Sequence, residues 1–128
     1  MARIIAIEDS PALQRLLALT MRDTAVEIEA HLRGIPGLEA AIDDPPDLII
    51  LDLGLPDMPG WEVLERLRLN ATTSNVPILV TTGETRSAVI ERLTELRAEM
   101  IEKPYSAAAL RETVSALIDA PAEVGSPT

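Results

Sequence analysis

Four apolar residues in succession, Leu48-Ile49-Ile50-Leu51, run straight into a carboxylate, Asp52. An apolar run this short, bounded by turn residues, predicts a strand covered on both faces. Strands of that kind belong to parallel sheets, whose crossover helices pack on either side. Leu53 continues the strand, and Gly54, Pro56, Pro59 and Gly60 then break the chain into a loop. In open α/β sheets, ligands bind outside the carboxyl ends of the strands. An acid at that end of a buried strand is placed for chemistry rather than for packing.

The rest of the chain repeats the theme. Ile4-Ile5-Ala6-Ile7 predicts a first strand, followed at once by Glu8 and Asp9. Ser10-Pro11 reads as a helix cap with proline at the first helical position. Leu13, Leu16, Leu17 and Met21 mark a helix over about Pro11–Met21, whose polar side carries Gln14 and Arg15. Val26–Ala30 alternates apolar and acidic residues, as an edge strand does. Gly34, Pro36 and Gly37 punctuate the next stretch and leave Leu38–Ile42 for a short helix, ended by Asp43-Asp44-Pro45-Pro46. After the central strand, Trp61, Leu64 and Leu67 predict a helix to about Leu69. Val76–Val80 is a fourth apolar run and leads into Thr81-Thr82-Gly83. Val89, Ile90, Leu93 and Leu96 stripe a fourth helix, and Met100-Ile101-Glu102 predicts a fifth strand before Lys103-Pro104. Leu110, Val114, Leu117 and Ile118 stripe the last helix, with Ser106 as its cap. Strands alternating with helices at this spacing imply βαβ units, a parallel sheet and helices on both faces. One domain over residues 1–119 and a flexible tail over 120–128 is the expected organisation.

Charge narrows the partners. The 128 residues carry a net charge of −10, which disfavours direct binding to DNA or to an anionic membrane surface. With no cysteine there is no disulfide framework and no thiolate metal site. No apolar run approaches the roughly 20 residues that span a bilayer, and Glu8 and Asp9 interrupt the N-terminal stretch too early for a secretion signal. A cytoplasmic protein is expected.

Four strands end on polar residues: Glu8 and Asp9, Asp52, Thr82, and Lys103. In a parallel sheet these share one rim. Two carboxylates about 5 Å apart at an effective dielectric of about 20 repel by roughly 3 kcal/mol. One lysine does not offset three acids, so either an acid is protonated or a cation sits among them. All-oxygen donors with room for water suit Mg²⁺. A carboxylate nucleophile beside a metal and an ammonium is an arrangement for handling phosphoryl groups. Asp52 then fits the nucleophile, Glu8 and Asp9 the metal, Lys103 the point charge, and Thr82 a hydroxyl donor.

These motifs, in this order, resemble the receiver domain of two-component response regulators: Glu8-Asp9, Asp52–Pro56 closed by Gly60, Thr82-Gly83, and Lys103-Pro104. The chain is similar in layout to single-domain chemotaxis and phosphorelay regulators, from Arg3 to about Asp119. The resemblance implies a flavodoxin-like, doubly wound (βα)5 fold with strand order 2-1-3-4-5. It implies that Asp52 takes a phosphoryl group from a histidine kinase or histidine phosphotransfer protein. Asp9, Asp52 and the Gly54 backbone carbonyl would hold Mg²⁺, with Glu8 reaching it through water. Lys103 and Thr82 would contact the acyl phosphate, and output would pass to a downstream protein target. A weak homodimer is compatible with this reading. The protein is then no enzyme toward other substrates, catalysing only its own phosphorylation and slow dephosphorylation.

One position departs from the family. Receivers usually carry an aromatic residue three places before the lysine, where it moves with the threonine. Here Met100 stands there, an adaptable side chain. Tyr105 is expected at the surface or facing a partner. His31 and Asp57 read as a surface residue and a loop acid, and Trp61 as packing. Two rivals remain. One is a receiver-like interaction module that is never phosphorylated. The other is a phosphohydrolase of the haloacid-dehalogenase type, which would need a second acid where Gly54 stands.

Overall fold

The apolar run forms the middle strand of the sheet. The structure, a computed structural model, describes residues 1–119; the expected tail lies outside the described residues. The elements are β1 Ala2–Ile7, α1 Pro11–Thr20, β2 Val26–His31, α2 Gly34–Asp43, β3 Leu48–Asp52, α3 Gly60–Leu69, β4 Ile78–Thr82, α4 Ser87–Glu95, β5 Glu99–Glu102 and α5 Ala107–Asp119. The five strands are parallel in the order β2-β1-β3-β4-β5. This is the flavodoxin-like, doubly wound topology expected from the sequence. All residues of β3 and β4 are buried, whereas β2 at the edge is only half covered.

Period-two alternation divides the core. Ile5, Ile7, Ile49, Leu51, Ile78 and Val80 face one side and pack on α2, α3 and α4 through Leu38, Leu64, Leu67, Val89 and Leu93. Ile4, Ala6, Leu48, Ile50 and Leu79 face the other side and pack on α1 and α5 through Leu17, Met21, Leu110 and Val114. Each buried Leu or Ile contributes about 1.5–3 kcal/mol relative to exposure, so an aliphatic core suffices without phenylalanine.

Local chemistry sets the helix ends. The Ser10 hydroxyl accepts from Leu13 N at 3.2 Å, and the Ser106 hydroxyl from Ala109 N at 3.0 Å. Both caps are as the sequence predicts. The second helix is not. It begins at Gly34 rather than Leu38 and incorporates all three residues read as breakers. Pro36 falls in its first turn, where an N–H has no partner within the helix. Gly37 lies against β1: a Cβ there would stand 2.6 Å from Ile7 Cγ1. The glycine therefore lets α2 approach the sheet rather than ending the helix.

Other positions also differ. Gln14 is buried rather than on the polar side of α1, because Gln14, Leu17 and Met21 form the stripe that meets the sheet. Ile90 is exposed. The fourth strand starts at Ile78 and extends to Thr82, and β5 begins one residue early, at Glu99. Tyr105 is half-buried, packed against the α1/α5 side of the core with part of its side chain at the surface. His31 is half-buried as well, its Nε2 2.7 Å from Glu29 Oε2.

Candidate functional site

The carboxyl ends of β1, β3, β4 and β5 bring the expected residues together. Asp52 ends β3 and is 5% exposed. The Lys103 ammonium donates to Asp52 Oδ1 at 3.0 Å and lies 3.5 Å from Glu8 Oε1. Oxygens of Glu8, Asp9 and Asp52 all fall within 4.8 Å of one another. Asp9 is exposed while Glu8 and Asp52 are buried. Gly54 N donates to Asp52 Oδ1 at 3.2 Å, so the residue after the strand turns its amide back onto the acid.

Electrostatics follows from this crowding. Burial, reinforced by the charge of Asp52, raises the Glu8 pKa to about 7, although the hydrogen bond from Ser10 N opposes the shift. Burial works against the Lys103 ammonium, but its hydrogen bond to Asp52 and the charges of Glu8 and Asp52 prevail and hold its pKa above the usual lysine value. A cluster of three acids that pushes one of them toward neutrality is short of positive charge. Its donors are all carboxylate oxygens, so the residues fit a hard divalent cation such as Mg²⁺.

Thr82 faces a cleft of about 360 Å³ that Asp52, Gly54, Trp61, Gly83 and Glu84 also line. Its hydroxyl accepts from Glu84 N at 2.9 Å. Trp61 packs against the α2–α4 side of the core, as expected, while reaching this cleft. A larger cleft of about 630 Å³ between α1 and α5 is lined by Thr20, Ala107, Arg111 and Glu112 and contains none of Glu8, Asp9 and Asp52. Chemistry, not size, identifies the site. Met100 lies half-buried on the α2–α4 side of the sheet, opposite Tyr105, so the tyrosine does not replace it.

Two supporting residues are not evident from the sequence. Gln14 Nε2 donates to the carbonyls of Ala6 at 2.9 Å, Glu8 at 3.1 Å and His31 at 3.3 Å, holding the segment that presents the Glu8-Asp9 pair. Its spacing to Leu17 and Met21 was the available signal. Asp57 is not a free loop acid: its two oxygens accept from Gly34 N at 2.7 Å and Ile35 N at 2.8 Å, at the start of α2.

A family model described as the response regulator receiver domain matches residues 4–115. The chain belongs to the response regulator receiver family. This receiver is 31% identical over 131 residues to the transcriptional regulatory protein KdpE of Mycobacterium tuberculosis, covering 94% of this chain and 57% of the relative. It is 32% identical over 119 residues to the response regulator MprA of Mycobacterium leprae, covering 91% of this chain and 50% of that one. The receiver thus spans about half the length of these curated relatives. Its fold matches the chemotaxis response regulator CheY4 of Vibrio cholerae with a TM-score of 0.84 at 27% identity, covering 91% of this chain and 98% of that one. It also matches the signal receiver domain of a Luxo repressor protein from Vibrio parahaemolyticus, with a TM-score of 0.87 at 27% identity over 96% and 93% of the two chains. Receivers of this family accept phosphoryl groups, usually with Mg²⁺, and act with histidine kinases and downstream effectors.

Proposed function

We propose that Asp52 is the phosphoacceptor and takes its phosphoryl group from the phosphohistidine of a partner kinase or phosphotransfer protein. The observation that carries this reading is the buried Asp52 carboxylate, hydrogen-bonded by Lys103 at 3.0 Å with Glu8 and Asp9 oxygens within 4.8 Å. An Asp52 oxygen forms the new bond to phosphorus. The phosphorus–nitrogen bond to the donor imidazole breaks, its electron pair leaves with the ring, and solvent supplies the proton. Asp9, Asp52 and the Gly54 carbonyl would hold Mg²⁺, with Glu8 behind a water. The ion supplies positive charge to the phosphoryl oxygens. Lys103 supplies a second positive charge, and the Thr82 hydroxyl turns its proton from Glu84 O, 3.4 Å away, to a phosphoryl oxygen.

The new group brings a charge of about −1.5 to −2 and three strong acceptors. Drawing Thr82 and Lys103 toward it repositions the start of α4 and the end of β5, with Met100 repacking where an aromatic residue would swing. Output passes through the α4–β5–α5 face to a protein target in the cytoplasm. This domain itself makes no DNA contact, in keeping with its charge of −10. Among the described residues no helix is long and apolar enough to cross a membrane. The only reaction is on its own phosphoryl group: Gly54 stands where a haloacid-dehalogenase-type enzyme needs an acid.

Intact mass after incubation with Mg²⁺ and acetyl phosphate tests the reading. Gain of one phosphoryl group by the wild type and none by Asp52→Asn is expected. Equal gain by both would move the acceptor elsewhere. No gain together with no Mg²⁺ binding would favour an interaction module that works without phosphorylation.

A further inference from the structure

The loop between β3 and α3 carries the Gly54 carbonyl, and its two ends are pinched together. Gly60 N donates to Leu53 O at 3.1 Å, and a Cβ on Gly60 would stand 2.4 Å from Leu53 Cα. The middle of the loop therefore projects as a closed ring. Among the described residues, Asp57 is the loop side chain that hydrogen-bonds another element, accepting from Gly34 N and Ile35 N, while Gly54 N donates back to Asp52 of β3. Apolar contact reinforces that tie. A Cβ on Gly34 would stand 3.0 Å from Met58 Cγ and 3.2 Å from Leu55 Cδ1, so the loop rests closely on the first turn of α2.

The tie serves both sides. Arg33, which precedes α2, supplies no side-chain cap, so the helix start depends on an acid from the loop over 20 residues downstream. A carboxylate there is also favoured by the positive end of the helix dipole. An ordinary cap stabilises its own helix. This one fastens a second element, and the carbonyl three residues before it belongs to the proposed metal site.

We propose that Asp57 is a positioning residue for the metal, holding the Gly54 carbonyl in place by clasping the first two amides of α2. The proposal rests on the reading of the site as a Mg²⁺-dependent phosphoacceptor. It adds α2 to the elements that sense the site. Linkage is reciprocal: a metal that favours the clasped loop also firms the start of α2, and a partner that firms α2 tightens metal binding.

Mg²⁺ titration provides the test, followed by the fluorescence of Trp61, the single tryptophan, which lines the same cleft. Asp57→Ala is expected to weaken Mg²⁺ binding roughly tenfold, the lower range for losing a residue that orients a metal ligand. Asp57→Asn keeps one acceptor oxygen and should fall between. Thr73→Val serves as a control. It removes the hydrogen bond from the buried Thr73 hydroxyl to Leu67 O, away from the loop, and should lower the melting temperature with Mg²⁺ affinity unchanged. In the wild type Mg²⁺ should slow amide hydrogen exchange at Gly34 and Ile35, and in Asp57→Ala it should not. Wild-type affinity in both Asp57 variants, or exchange at both amides indifferent to Mg²⁺, would overturn the proposal. A wild type that binds no Mg²⁺ would overturn the functional reading with it, so the two failures are distinguishable.

Discussion

Glu8 is the site residue whose protonation is strongly altered by its surroundings. Its carboxyl is buried at 7% exposure, faces Asp52 and titrates near pH 7, above its value of 4.5 in an unfolded chain. Between those pH values the folded protein keeps a proton that the unfolded chain has lost. The contribution of Glu8 to stability is therefore fully present below about pH 4.5 and is lost as pH rises through about 7. Urea titrations of metal-free protein should show this decline, and Glu8→Gln should remove it. Thr82 makes a different prediction. Its hydroxyl accepts from Glu84 N at 2.9 Å and donates to Glu84 O at 3.4 Å, and it has to redirect that proton to reach a phosphoryl oxygen. Thr82→Val should still gain phosphoryl mass at Asp52, but chemical-shift changes at Met100 on phosphorylation should shrink. Undiminished changes there would remove Thr82 from the switch.

At the scale of elements, glycines separate close packing from open space. Gly37 lets α2 lie on β1, and an added methyl would meet Ile7 at 2.6 Å. Gly37→Ala should lose about 1–3 kcal/mol, the usual penalty for overpacking, measured by urea unfolding. Gly83 has nothing within 4 Å of where a Cβ would stand, so Gly83→Ala should change stability by less than about 0.5 kcal/mol. The contrast matters for function. α2 is fixed to the sheet by contact and to the β3–α3 loop by Asp57, whereas Gly83 after β4 has open space around it, the freedom that the proposed movement of Thr82 would require.

For the whole molecule, the deficit of positive charge at the site should make the fold respond to a cation. At a Mg²⁺ concentration a hundred times its dissociation constant, binding to the folded state alone adds about 2.7 kcal/mol. For a domain of this size that corresponds to a rise in melting temperature on the order of ten degrees. Thermal melts with and without Mg²⁺ should show the rise in the wild type and lose most of it in Asp9→Asn. An equal rise in the variant would mean that the ion binds elsewhere on this acidic surface.

The alternation of strands and helices, the burial of β3 on both faces, and the four strand ends that carry Glu8, Asp9, Asp52, Thr82 and Lys103 are legible in the order of the residues. Those features are periodic or local, and period and cap chemistry are written in neighbouring residues. The family resemblance rested on the same local motifs, and strand order followed from it. The rest depends on contacts between distant parts of the chain. Gly34, Pro36 and Gly37 read as breakers because their local preferences oppose a helix, yet contact with Ile7 and a carboxylate over 20 residues away allow one. Gln14 read as solvent-facing because a polar side chain on a helix usually is, yet three strand-end carbonyls receive it. Asp57 meets the first amides of α2, and Tyr105 packs against the α1/α5 side of the core. Such pairings depend on which surfaces the fold brings together, and that information lies in the packing of the chain rather than in any stretch of it.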